Sequence, residues 1–212
     1  MMLCTLAQLK TYLGITETTQ DDLLTMLIKQ TSAHIQNYLG YSLERKDNTE
    51  VYNVNNNQLL LLENQPIQTV TRVKINETEI TDYKIIPKWA KVGILYRGLG
   101  WCGDYYTRGM THDIVSGVFE IEVKYTSGYY LPSDVEHYVE GAETSLPYDI
   151  LSACVIGCAE AYNLKMNNGE GIKSYSEGGI STTFADGGSM ADSGLSAKVA
   201  SMLVEYKREG IA

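Results

Sequence analysis

Apolar residues recur with a helical period at both ends of this 212-residue chain and with a period of two between them. The switch of period constrains the fold more than any single motif. Two helices are predicted from about Leu6 to Leu39, and two more from about Pro147 to Leu164 and from about Leu195 to Arg208. The intervening stretch, roughly Thr49 to Thr126, alternates β-branched and aromatic residues as strands do. The expected class is α+β: a four-helix frame, two helices N-terminal and two C-terminal, carrying an inserted antiparallel β-sheet subdomain. Residues 1–46 and 146–212 would form the frame, 47–145 the insert with an acidic linker, and 166–194 a long loop within the frame.

Helix punctuation supports this reading. Thr5 suits an N-cap before Leu6, Leu9 and Leu13, and Gly14 suits the left-handed stop. Asp21 and Asp22 open the second helix at the positive end of its dipole. They are read as capping charges, since no third metal ligand sits nearby in sequence. Leu23, Leu27, Ile28, Ile35, Tyr38 and Leu39 follow at helical spacing, and Gly40 ends the run. Pro147 suits the first turn of the third helix, whose apolar face is Ile150, Leu151, Cys154, Val155 and Cys158. The last helix sets Leu195, Val199, Met202, Leu203 and Tyr206 to one side.

In the middle, strands are predicted over Glu50–Val54, Gln58–Leu62, Val70–Asn76, Thr81–Ile86, Gly93–Arg97 and Val118–Tyr125. They would form one compact antiparallel sheet of five or six strands. The acidic stretch from Ser133 to Thr144 reads as a turn or short helix.

Charge and chemistry narrow the function. Seventeen Lys and Arg against 26 Asp and Glu give a net charge of −9, which repels phosphate and argues against tight grasping of nucleic acid. An acidic wall around a channel that DNA slides through remains compatible. No segment reaches the roughly 18 apolar residues that span a bilayer, so no membrane partner is expected. The opening residues lack a basic region followed by a long apolar run, and folding in a reducing cytoplasm is expected. Cys154 and Cys158 share a helical face, but His34, His112 and His137 show no ligand spacing with them. They are read as core thiols, with no metal expected. Trp101-Cys102-Gly103-Asp104 begins like a dithiol redox site, yet position 105 is Tyr105. The stretch from Gly98 to Gly109 is read instead as an edge loop whose exposed aromatics, Trp101, Tyr105 and Tyr106, contact a partner. No phosphate-binding glycine loop and no nucleophile elbow is present. No catalytic residue, cofactor or enzymatic activity is expected.

The order of parts resembles the head–tail connector, or adaptor, proteins of tailed bacteriophages, which complete the head. Three stretches carry the likeness. The first runs Leu6-Ala7-Gln8-Leu9-Lys10-Thr11-Tyr12-Leu13-Gly14-Ile15, then Asp21-Asp22-Leu23-Leu24, then Ile35-Gln36-Asn37-Tyr38-Leu39-Gly40-Tyr41-Ser42. The second is Leu146-Pro147-Tyr148-Asp149-Ile150-Leu151 with Ala153. The third is Ile172-Lys173-Ser174 through Gly179-Ile180-Ser181-Thr182-Thr183-Phe184, followed by a helix ending Glu205-Tyr206-Lys207-Arg208. The acidic insert from Ser133 to Thr144 is longer than the family pattern.

The resemblance implies a homo-oligomeric ring, usually of twelve copies, beneath the portal protein at one capsid vertex. That ring lies in the virion neck and is assembled in the host cytoplasm. It would extend the DNA channel, pass genomic DNA without sequence-specific binding, and dock a neck stopper or tail-completion protein. The competing readings are a neck stopper or tail-completion ring protein and, in a different class, an intracellular enzyme with an unrecognised site. The polar segment 166–194 is expected to gain order only against a partner. Ile180 and Phe184 would be its apolar anchors, with Tyr175 beside them and Lys173 as a polar contact; Ile180 to Phe184 alternates as an added strand would.

Overall fold

The computed structural model describes residues 1–53, 57–101, 120–166, 174–177, 180–183 and 194–208, with the backbone alone for 174–177 and 180–183. The chain divides into two compact units. One joins Met1–Gly40 to Tyr130–Ala212, and the other is Tyr41–Tyr129. The mixed α+β class with antiparallel sheets follows from their elements.

The first unit is helical. Helix α1 spans Leu6–Leu13, and its start is a complete capping box: the Thr5 side chain accepts from the Gln8 N–H while the Gln8 side chain accepts from the Thr5 N–H. Gly14, at φ 69°, closes it. Helix α2 spans Asp21–Leu39, with Asp21 and Asp22 in its first turn and Gly40 at φ 82° beyond its end. Lys10 Nζ meets Asp21 Oδ1 at 2.7 Å and ties the two helices. Helix α4 spans Tyr148–Met166 and buries Ile150, Leu151, Ala153, Cys154, Val155, Cys158 and Ala159. Gly157 lets α2 and α4 approach closely, because a Cβ there would meet Thr31 Cγ2 at 2.9 Å. Helix α5 is shorter than its periodicity suggests. It covers Ala197–Leu203, with Ser196 as N-cap, and tightens into a 3-10 turn over Val204–Tyr206. The segment after this turn is held by Lys207 Nζ over the Tyr38 ring and by the Arg208 N–H donating to Leu39 O.

The second unit corrects the expectation of a single sheet. Among the described residues seven strands form two antiparallel sheets. The larger joins β1 (Lys46–Asn53), β7 (Glu120–Ser127), β3 (Ile67–Ile75) and β4 (Thr78–Ile80) in the order β1-β7-β3-β4. The smaller orders β2 (Leu59–Leu61), β6 (Ile94–Arg97) and β5 (Tyr83–Lys84) as β2-β6-β5. One buried cluster draws on both: Val73, Ile75, Ile121, Val123 and Tyr125 from the larger sheet, Leu60 and Leu95 from the smaller. The apolar face of one sheet needs a cover, and the short second sheet supplies it. Helix α3, Pro87–Ala90, was not apparent in the sequence; it starts at a proline in the first turn and adds Ala90 to the cluster. Asn76, read as the end of a strand, instead forms with Glu77 the two-residue turn between β3 and β4, at φ 47° and 67°.

Strands β1 and β7 bracket this unit and lie side by side, Lys46 opposite Ser127. The chain therefore enters and leaves at neighbouring points, the geometry that lets one unit be inserted into another. The join is tight. Gly128, at φ 86°, passes Glu44 so closely that a Cβ would stand 2.4 Å from its carbonyl oxygen.

Candidate functional site

The residues singled out in sequence fall in different places. Lys173 and Phe184 lie outside the described residues, as do Tyr105 and Tyr106. Tyr175 and Ile180 belong to a hairpin of β8 (Ser174–Glu177) and β9 (Ile180–Thr183). Its register sets Tyr175 opposite Thr182 and Ile180 opposite Glu177. The alternation read over Ile180 to Phe184 thus appears as a strand over Ile180–Thr183, paired within the chain. The signal that would have found its partner strand is Glu177-Gly178-Gly179-Ile180, a two-residue glycine pair between alternating stretches.

Trp101 is corrected. It is not an exposed aromatic but completely buried. Its indole Nε1 donates to Gln58 O at 3.1 Å and its backbone N–H to Asn57 O at 2.9 Å. It is the largest fully buried side chain among the described residues, and its one donor is matched. Leu99 takes the outward position instead, at 60% exposure.

Sequence reasoning missed an exposed feature of the helical unit. The Tyr130 N–H donates to Thr144 O and the Leu146 N–H to Tyr130 O, so the acidic stretch between them closes into a loop. Inside it, His137 stacks on Tyr130 at 5.1 Å and its Nδ1 lies 3.1 Å from Asp134 Oδ1. The Val139 N–H donates to Ser145 Oγ. These bonds hold Val135 and Val139 outward, 91% and 62% exposed, among exposed Glu136, Glu140 and Glu143. The acidic insert is a built loop with two apolar tips, features that suit contact with another chain.

The cysteines show what the helical spacing left out. Cys154 and Cys158, one turn apart on α4, meet Cys4 from the segment preceding α1. All three are fully buried, and their sulfurs lie within 4.8 Å of one another. The Cys154 thiol donates to Cys4 at 3.7 Å. Ser32 Oγ of α2 is also 3.7 Å from Cys154 and accepts the Leu3 N–H. Hydrogen bonds from Cys154 and then Cys4 pull Cys158 down to about 4 against the effect of burial. Cys154 moves well above the usual thiol range, first through Cys158 and then through Cys4 and burial. Among the described residues this trio is the group with metal-ligand geometry.

A second polar cluster sits in the β unit. The Glu50 carboxylate accepts from the Tyr52 hydroxyl, from Tyr125 Oη at 2.5 Å, and from Asn64 Nδ2 at 3.0 Å. Burial, then Glu50, raises both phenols. Both stay neutral and act as donors, so the cluster is a brace and not an acid–base pair. A shallow hollow of about 590 Å³ runs along α1, lined by Leu6, Ala7, Lys10, Thr11, Gly14, Ile15 and Thr16. Its one titratable side chain, Lys10, is paired with Asp21. No helix among the described residues is long and apolar enough to cross a membrane.

Comparison with known proteins finds a matching family model and solved structures of similar fold. The family model described as head completion protein matches residues 2–208. Chains of similar fold occur in the virion of a native gene transfer agent particle (15% identity, TM-score 0.52) and in the neck of the empty particle computed with C6 symmetry (15%, 0.53). Another occurs in the neck of the native particle computed with C12 symmetry (14%, 0.51). Each likeness covers 98% of this chain and 90% of the other. No curated protein matches the sequence.

Proposed function

Because this chain belongs to the head completion protein family, we propose that it is a structural protein of the virion neck. Copies form a ring between the portal and the neck or tail proteins, extend the DNA channel, and dock the next component. The observation that carries this reading is the continuity of the family match, which runs through the helical ends and the β unit alike. The similar fold in gene transfer agent necks supports the location. We read twelve copies per ring, in keeping with the C12 symmetry of one of those necks.

The ring requires a head-to-tail interface between identical copies, since only a closing rotation avoids an open filament. In each copy the helical unit, Met1–Gly40 with Tyr130–Ala212, serves as the frame, with the β subdomain inserted. The net charge of −9 suits a lumen of acidic and neutral side chains through which DNA passes without sticking. Docking falls to the segment carrying Lys173, Tyr175, Ile180 and Phe184, with Tyr105 and Tyr106 as further interface aromatics.

Electron micrographs of the purified protein mixed with portal rings test the reading. A second closed ring stacked on the portal is expected. Portal rings without added density, or open filaments, would overturn it. In the same binding assay Phe184→Ala should cost about 1–3 kcal/mol if it is a central anchor. An unchanged affinity would remove Phe184 from the docking surface.

A further inference from the structure

We propose that Cys4, Cys154 and Cys158 form a closed site for one soft, thiophilic metal ion, a d10 cation such as zinc or monovalent copper. The spacing of the sulfurs is the first argument. A metal with bonds of about 2.3 Å to sulfur in tetrahedral or trigonal geometry sets its sulfurs about 3.8–4.0 Å apart. Cys154 and Cys4 stand at 3.7 Å, and the whole trio lies within 4.8 Å. A metal could seat itself with sub-ångström side-chain adjustment.

The scaffold supplies the second argument. Two ligands one turn apart on α4 are oriented by the helix itself. The third is brought in by a segment fixed independently of the sulfurs. Leu3 is fully buried and its N–H donates to Ser32 Oγ at 3.0 Å, while Thr5 is locked into the capping box of α1. Cys4 lies between those two anchors. Ser32 Oγ, 3.7 Å from Cys154 Sγ, places an oxygen beside the group.

The donor chemistry selects the ion. No histidine or carboxylate joins the group among the described residues, so hard cations are disfavoured and thiolate-seeking ones preferred. Full burial of all three sulfurs fits a structural site, closed to substrate, and not a catalytic one with an open position. A bound ion would staple the N-terminal segment to α4. It would enter as the chain folds, in exchange for the thiol protons.

The test uses the full chain carrying Cys102→Ser, so that every thiolate signal comes from the trio. The protein is refolded under a non-thiol reductant with cadmium as a spectroscopic probe, and separately with zinc. Expected are one metal per chain by elemental analysis, a thiolate-to-cadmium charge-transfer band, and a higher thermal midpoint than the metal-free chain. Cys4→Ala should then weaken binding by more than the roughly 10–100-fold typical of outer-shell losses. A refolded chain with native circular dichroism, no charge-transfer band and three freely titrating thiols after unfolding would overturn the proposal. So would metal binding that Cys4→Ala leaves intact. If Cys4→Ala does not fold, the stoichiometry and band of the Cys102→Ser chain decide alone.

Discussion

In the β unit the core is filled by large side chains whose polar tips find partners. Trp101 donates to Gln58 O, and Tyr125 reaches Glu50 and takes the Asn64 N–H. In the helical unit α2 and α4 also meet through small residues: Thr31 and Ser32 on one side, Cys154 and Gly157 on the other. The first strategy stakes stability on a few bulky groups. The second spreads it over backbone proximity, where the loss of any one side chain matters less than the gain of one too large. Substitutions that remove volume should therefore hurt the β unit most, and substitutions that add it should hurt wherever backbones nearly touch.

Trp101→Ala tests the first half of that contrast and carries the largest expected loss, about 3–5 kcal/mol. It leaves a large cavity and removes a matched donor. Urea unfolding followed by far-ultraviolet circular dichroism would show the β unit unfolding first. A loss below 1 kcal/mol would mean that the indole is not a core element.

Gly128→Ala comes next, at about 3 kcal/mol or more. Its φ of 86° already disfavours a side chain, and the new Cβ would collide with the Glu44 carbonyl. Gly141 is the control. It has a similar φ of 80° but nothing within 4 Å, so Gly141→Ala should cost only the backbone term, roughly 1–2 kcal/mol. Equal losses at the two sites would show that conformation, and not the close pass, governs Gly128.

Gly157→Ala applies the same logic to the helices, with a smaller outcome. Alanine gains up to about 1 kcal/mol of helix propensity over glycine, but its methyl would stand 2.9 Å from Thr31 Cγ2. Overpacking of this kind typically costs about 1–3 kcal/mol, so a net loss of about 1 kcal/mol is expected. Pairing it with Thr31→Ser, which removes the opposing methyl, should restore stability. A double variant no better than the single would place the strain elsewhere.

The two units also differed in how openly the sequence announced them. The ends of α1 and α2 were legible because their signals are local: Thr5 with Gln8, Asp21 with Asp22, and the stops at Gly14 and Gly40. The strands were legible as alternation, but their division into two sheets was not. Pairing between β2 and β6 joins residues more than thirty positions apart, and no local period encodes that. Trp101 was misplaced because a glycine-rich neighbourhood reads as surface, while burial depends on Gln58 and Asn57, far away in sequence. For the same reason Cys154 and Cys158 were visible as a pair, and Cys4 was not. Chemistry assembled across the fold leaves only part of itself in any one segment.

Tyr125→Phe is the sharpest test, because it leaves volume unchanged and removes only the bonded tip of a bulky side chain. At neutral pH the loss of a bond to a charged carboxylate should cost about 1.5–3 kcal/mol at most, less if water replaces it. The pH dependence identifies the cause. In the unfolded chain the phenol ionises near its ordinary value of 10.0, whereas burial and the adjacent Glu50 carboxylate hold it above that in the fold. Tyr52 is raised in the same way. Above about pH 10 the unfolded state therefore sheds protons that the folded state keeps, and stability falls as pH rises. Below that pH both states are protonated and the full contribution is present. Urea midpoints measured from pH 8 upward should decline beyond pH 10 in the native protein and decline less steeply in Tyr125→Phe. Identical slopes would show that Tyr125 ionises as freely in the fold as outside it, and that the bulky core of the β unit does not depend on the Glu50 brace.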